Sequence, residues 1–225
     1  MTAEPAGAAL PAAVLWDMDG TLVDTEPYWI ERERRLVAEY GHAWTDEDAH
    51  ALVGNSLLVS AAYIRDRGPV PLEPEEIVDR LLDGVIADVR GHVPFRPGAP
   101  ELLDALAGLG VPCALVTMSY RSLAAAVVDA LPPGRFAVVV AGDDVTHGKP
   151  HPEPYLTAAD RLGVPPEACV AIEDSPTGVA SAVAAGVPTL AVEHLVPIAP
   201  GPLRTVVRTL EGWTPDDLGV LLSGR

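Results

Sequence analysis

The sequence predicts an α/β fold: a Rossmann-like parallel sheet core with helices on both faces and an inserted α-helical domain. Three observations carry this expectation. From residue 97 onward, short apolar runs of strand length alternate with helix-length amphipathic stretches, the pattern of repeated βα units. Between the first apolar run and this series lies a long segment, Pro27 to His92, in which nothing reads as a parallel-sheet strand. Chemically able polar side chains also follow directly on the apolar runs, where open α/β sheets place their ligands.

The elements follow in order. Residues 1–11 read as a loose leader, and Ala12–Trp16 as a buried strand. After it, Trp29, Ile30, Glu33, Leu36, Val37 and Tyr40 recur near a helical period, and Gly41 ends that helix. Further helices are expected at Thr45–Leu52, Ser56–Asp66 and Glu73–Val89, the last opened by Pro74 with acids in its first turn. The core then resumes with a helix from Pro97 to Leu109, a strand at Val111–Thr117 and a helix at Ser122–Ala130. A strand at Phe136–Ala141, a helix at Pro152–Leu162, a strand at Ala168–Glu173 and a helix at Thr177–Ala185 continue the series. Strands at Val187–Val192 and Thr205–Val207 and a terminal helix at Asp216–Leu222 close it. The expected domains are 1–26 with 95–225 as the α/β core and 27–94 as the helical insert.

Composition narrows the class of function. A chain of 225 residues with 48% hydrophobic content can bury a real core. A net charge of −17 repels DNA, RNA and anionic membranes, so no nucleic-acid partner and no membrane partner are expected. The acidic balance suits recruitment of a divalent cation and equally suits solubility. Cys113 and Cys169 lie in apolar runs without a CxxC or a His/Cys cluster, which reads as buried free thiols and a cytoplasmic location. The first residues lack a basic n-region, and no apolar run reaches membrane-spanning length.

The polar groups form the functional signal. Asp17 and Asp19 follow the first strand, with Gly20 permitting a tight exit. Thr117 and Ser119 follow the strand VPCALVT, Lys149 lies in GDDVTHGKPHP, and Glu173 and Asp174 follow ACVAIED. Each has a bland reading: a loop acid, a polar strand cap, a surface ammonium, a helix cap before Pro176. Four such placements at strand ends point instead to one convergent site at the C-terminal edge of the sheet.

With these motifs the chain resembles the haloacid dehalogenase-like hydrolase superfamily, in the branch of β-phosphoglucomutase and small sugar-phosphate phosphatases. The motifs are DMDGTLVDTE, VTMSYR, GKPHPEPY and IEDSPTGVASAVAAGV, in family order over Ala12 to Thr189. The resemblance implies a small helical cap in place of the insert, hinged near Thr21–Glu26 and Val93–Pro97. It implies Asp17 as nucleophile toward phosphorus and Asp19 as general acid and then base. Mg²⁺ is the implied cofactor, held by Asp17, the Asp19 backbone carbonyl and Asp174, with Glu173 as a direct or water-mediated supporter. Lys149 would neutralise phosphoryl charge, and Thr117, Met118 and Ser119 would offer donors to the phosphate, with Gly20 and Thr21 adding backbone donors. Asp143 and Asp144 are secondary acids near the expected site, and Arg121 is either a peripheral anchor or a solvated helix residue.

The branch is set by departures. Trp29 stands where β-phosphoglucomutase-like sequences carry a His, and Val53 and Leu57 flank Gly54, Asn55 and Ser56 where they carry basic residues. The insert has no lysine for phosphonatase-type chemistry, and Asp19 is the second acid that haloacid dehalogenases generally lack. The expected enzyme is therefore a phosphoric monoester hydrolase acting on a small phosphate ester, most simply a sugar phosphate. A phosphosugar mutase and a non-enzymatic binding protein on the same fold are the alternatives. Glu26 at the edge of the core and Trp29 and Asn55 from the insert are further expected substrate contacts. Trp29 reads equally as insert core, Asn55 equally as a turn residue, and Trp44 is expected in the insert's core. A monomer or small homo-oligomer is expected.

Overall fold

The computed structural model describes residues 9–52 and 56–223. The chain divides into two compact units, Met1–Asp24 with Pro94–Arg225, and Thr25–Val93. The first contains strand β1 (Ala13–Trp16). The second consists of helices α1 (Glu26–Glu39), α2 (Asp46–His50), α3 (Leu57–Arg67) and α4 (Pro74–Gly91). The first unit resumes with α5 (Ala99–Gly108), β2 (Cys113–Val116), α6 (Arg121–Asp129) and β3 (Val138–Val140). It ends with α7 (Glu153–Leu162), β4 (Cys169–Glu173), α8 (Pro176–Ala184), β5 (Thr189–Val192), β6 (Arg204–Val207) and α9 (Pro215–Ser223).

The six strands form one sheet in the order β3-β2-β1-β4-β5-β6, every pair parallel. Strands β1, β2, β4 and β5 are buried along their whole length, as a parallel sheet covered on both faces requires. The first strand lies at the centre, and the chain travels to one side through β2 and β3 and then to the other through β4 and β5. With right-handed crossovers the reversal puts the connecting helices on opposite faces and opens a crevice between the C-terminal ends of β1 and β4. On the α7 and α8 face, small residues let the helices come close. Ala13, Ala114 and Ala171 of the strands pack with Ala158, Ala159 and Ala182 of the helices around Tyr155 and Leu15.

The helical unit has its own core. In α4, Ile77, Val78, Leu81, Leu82, Val85, Ile86 and Val89 are buried, a stripe at helical spacing that packs on α1 and α3. Pro74 follows the N-cap Glu73, whose amide donates to Glu76 Oε2 at 3.0 Å. Arg32 on α1 holds Asp88 on α4 through a two-pronged ion pair. Trp44 is buried, as expected of insert core, and meets the Tyr63 ring edge-on at 6.0 Å.

Glu33, one of the residues of the α1 period, is an ionisable group inside this core. It is 5% exposed and accepts the Trp44 Nε1 hydrogen at 3.1 Å. Burial pushes its carboxyl up to about 7, against the weaker opposing effect of that hydrogen bond. The folded chain therefore holds a proton that the unfolded chain releases near the ordinary glutamate value. Its contribution to stability is complete at acid pH and is lost as pH rises through 7. In urea titrations the Glu33→Gln variant gains on the wild type as pH is raised from about 5 to about 7, approaching about 1.4 kcal/mol per pH unit.

Candidate active site

The crevice at the strand reversal is where the chemically able side chains meet. Strands β1 and β4 run in register, with Trp16 beside Ile172, so the next residues, Asp17 and Glu173, emerge side by side. The Asp17 amide donates to the Ile172 carbonyl at 2.9 Å, which carries the pairing one residue past β1. Thr117 leaves the neighbouring β2 and is tied to β3 by its amide on the Val140 carbonyl. Lys149 enters from the loop before α7, and its side chain is only 5% exposed.

The Lys149 ammonium has three hydrogens and uses all of them. Nζ donates to Asp17 Oδ1 at 2.6 Å, to Glu173 Oε1 at 2.7 Å and to the Val116 carbonyl at 2.9 Å. Its position is further defined by the Tyr155 ring, whose centroid lies 5.2 Å away. Burial works against the charge of Lys149, but Asp17 and Glu173 hold its pKa above the usual lysine range.

Glu173 is fully buried and saturated with donors. Tyr155 donates its hydroxyl at 2.7 Å, and Ser175 donates its hydroxyl at 3.1 Å and its amide at 3.2 Å. The Asp174 amide adds another at 3.2 Å. The sequence reading missed Tyr155, which lies in the quoted GKPHPEPY motif. Its signal was a phenol on the buried face of a helix, where a hydroxyl needs a partner.

Asp17, Glu173 and Asp174 present carboxylate oxygens within 4.8 Å of one another. One ammonium cannot balance three buried carboxylates. Burial first, and then the charge of Glu173, raises Asp17 well above the usual carboxylate range, against the pull of Lys149. The same two causes push Asp174 up to about 7. Such a cluster has an all-oxygen donor set and an uncompensated negative charge, which fits a hard divalent cation.

Two glycines make room for this cluster. Gly20 has φ +88°, and a Cβ there would overlap the Asp174 carboxylate. Gly178, in the first turn of α8, faces Glu173 so closely that a Cβ would overlap its carboxylate. Neither glycine was read this way from the sequence, although a glycine just inside a helix carries a cost that calls for a reason.

Asp19 has different surroundings. It is half-buried, and its Oδ2 accepts the Ser119 hydroxyl at 2.7 Å and the Thr117 hydroxyl at 3.2 Å. Thr117 Oγ1 in turn accepts the Ser119 amide at 3.0 Å. The expected phosphate donors Thr117 and Ser119 thus orient the second carboxylate in this structure. Met118 lies against the Lys149 loop, its sulfur accepting the Lys149 amide at 3.2 Å.

Two sets of expected site residues are engaged otherwise in this structure. The Gly20 amide donates to the Val23 carbonyl at 2.7 Å and the Thr21 amide to the Met18 carbonyl at 3.3 Å, so both donors close the turn upon itself. Thr21 instead acts through its hydroxyl, which donates to Asp174 Oδ1 at 3.1 Å. Asp143 and Asp144 stand apart from the acidic cluster. Asp143 accepts the Arg121 amide, while Asp144 pairs with the Arg121 guanidinium and accepts the Ala141 amide. Arg121 is therefore an anchor of this turn. Glu26 and Trp29 lie in the first turn of α1, in the helical unit, and Asn55 lies outside the described residues.

The sequence profile of the haloacid dehalogenase-like hydrolases matches residues 11–186. The chain belongs to this family. A phosphorylated carbohydrates phosphatase of Thermotoga maritima is 35% identical over 188 residues, covering 78% of this chain and 82% of that protein. A bifunctional riboflavin kinase/FMN phosphatase of Arabidopsis thaliana is 32% identical over 188 residues. That match takes in 83% of this chain but only 49% of the plant protein, so the chain corresponds to about half of it. Among solved structures, CbbY of Rhodobacter sphaeroides in complex with phosphate is similar at a TM-score of 0.80 and 26% identity, over 93% of this chain and 99% of that one. A second crystal structure of CbbY holds xylulose-1,5-bisphosphate, with a TM-score of 0.79.

The close approach of Gly178 to Glu173 can be tested without reference to any reaction. Gly178→Ala forces the carboxylate or the helix to move and lowers stability by about 1–3 kcal/mol, read from the urea midpoint at unchanged slope.

Proposed function

We propose that the chain hydrolyses a small phosphomonoester, with a sugar phosphate as the substrate class, through a phosphorylated Asp17. As a family member with phosphatase relatives, it is a phosphoric monoester hydrolase. One observation carries the assignment of roles: two carboxylates one residue apart are held in opposite environments. Asp17 is buried against Lys149 and the acidic cluster, whereas Asp19 is half-exposed and oriented by two hydroxyls. Environments that differ this much give neighbouring acids different tasks.

In the first step the Asp17 carboxylate attacks phosphorus, and the P–O bond to the leaving alcohol breaks. Asp19 gives its proton to the departing oxygen. In the second step Asp19 takes a proton from water as that water attacks the phosphorus of the aspartyl-phosphate, which releases inorganic phosphate and restores Asp17. Lys149 holds Asp17 in place and balances charge close to the reacting oxygens. Asp17, Asp174 and the Asp19 carbonyl are the residues we assign to Mg²⁺, with Glu173 as the anchor of Lys149 behind them. Bound there, Mg²⁺ supplies positive charge that lets an anionic nucleophile approach an anionic phosphoryl group. Glu26, Trp29 and Asn55 are assigned to substrate selection.

The sugar-phosphate reading draws on the Thermotoga relative and on the bisphosphate held by CbbY. The test is phosphate release from a panel of hexose 6-phosphates, β-glucose 1-phosphate, nucleotides and glycerol phosphate. Release requires Mg²⁺, disappears in Asp17→Asn, and falls by about 10²–10⁴-fold in Asp19→Asn while the folded fraction is unchanged. Activity of Asp17→Asn at the wild-type rate overturns the mechanism. Conversion of β-glucose 1-phosphate to glucose 6-phosphate without phosphate release assigns a mutase instead. Trp29→Ala reorders the substrate ranking, and an unaltered order removes Trp29 from specificity.

A further inference from the structure

The loop that delivers Lys149 also carries a cluster that the hydrolytic chemistry leaves unused. His147, His151 and Glu153 each bring a ligating atom to within 4.8 Å of the others. Both histidines are exposed and Glu153 is half-buried, so the cluster is open to solvent. The two imidazole rings lie 4.6 Å apart at their centroids.

The arrangement is held from behind. Glu153 opens α7, and its carboxylate accepts the Thr146 amide at 2.7 Å through Oε1 and the His147 amide at 3.0 Å through Oε2. The same Oε2 lies 2.8 Å from His147 Nδ1 and 3.9 Å from His151 Nδ1. His151 Nδ1 accepts the Glu153 amide at 3.2 Å, so this nitrogen carries its lone pair and not a proton. Imidazole and carboxylate ligands sit about 2.0–2.2 Å from zinc, which places neighbouring ligand atoms about 3–3.5 Å apart. The two separations to Oε2 lie on either side of that range, and on binding His151 Nδ1 exchanges the Glu153 amide for the cation.

We propose that His147, His151 and Glu153 form a second metal site, which takes Zn²⁺ and is separate from the acidic cluster. Two imidazoles favour a borderline transition cation over Mg²⁺, whereas the all-carboxylate cluster has the opposite preference. On binding, the cation takes the place of the hydrogen between His147 Nδ1 and Glu153 Oε2, and the neutral imidazole carries its single hydrogen on Nε2 instead. The amides on Glu153 act as the outer support that fixes a ligating carboxylate. His147 and His151 flank Lys149 two residues to either side, so occupancy ties together both ends of the segment that carries the lysine.

The experiment uses the full chain without a tag, saturated with Mg²⁺ and dialysed against micromolar zinc chloride, with bound metal measured by emission spectroscopy. About one zinc per chain is retained by the wild type, and binding weakens at least about tenfold in both His147→Ala and His151→Ala. A wild type that retains no zinc overturns the proposal. Retention of wild-type zinc by either variant does so too, because the metal then sits elsewhere, with the acidic cluster as the first alternative. The readout is metal content, so its outcome is independent of whether the chain hydrolyses phosphate esters.

Discussion

The contact on which this site depends is the buried Lys149 ammonium between Asp17 and Glu173. Desolvating a carboxylate without a partner is costly, and here three lie within reach of one another. The lysine offsets part of that repulsion and fixes Asp17 and Glu173 on either side of a single nitrogen. Its third hydrogen goes to the end of β2, so it also pins the acidic pair to a third strand. Burial, and then the charge of Glu173, raises the pKa of Asp17 and Asp174.

Glu173 shows how a charge can be made structural. Tyr155, Ser175 and two amides converge on it, and Gly178 removes the side chain that would stand in its way. A carboxylate so fully bonded is a fixed anchor for Lys149. Asp19 is the contrast: it is half-exposed, and the hydroxyls of Ser119 and Thr117 are among its partners. The difference between the two carboxylates lies in burial and in donor type.

Topology supplies the convergence. In the order β3-β2-β1-β4-β5-β6 the first strand is central, and the chain's reversal brings the end of β4 beside the end of β1. Residues far apart in sequence, such as Asp17 and Asp174, thereby share one crevice. The helical unit leaves the core directly after β1 and returns before α5, and its core is built independently around the α4 stripe. Its buried Glu33 and the exposed histidine pair of the Lys149 loop are both ionisable groups outside the acidic cluster, and each answers to a different measurement.

The amino-acid sequence determined the parallel α/β core, the order of its strands along the chain and which polar side chains stand at the strand ends, because strand burial and strand-end placement leave local patterns. The motif residues Asp17, Asp19, Thr117, Lys149, Glu173 and Asp174 were all legible in this way. Tertiary structure alone decided who bonds whom. It turned the Gly20 and Thr21 amides inward, gave Asp143 and Asp144 to the Arg121 turn, and set Thr117 and Ser119 on Asp19. It also recruited Tyr155 and Gly178 to Glu173. Periodicity reports which face a side chain is on, whereas a hydrogen bond is settled by fractions of an ångström between segments that no local pattern relates.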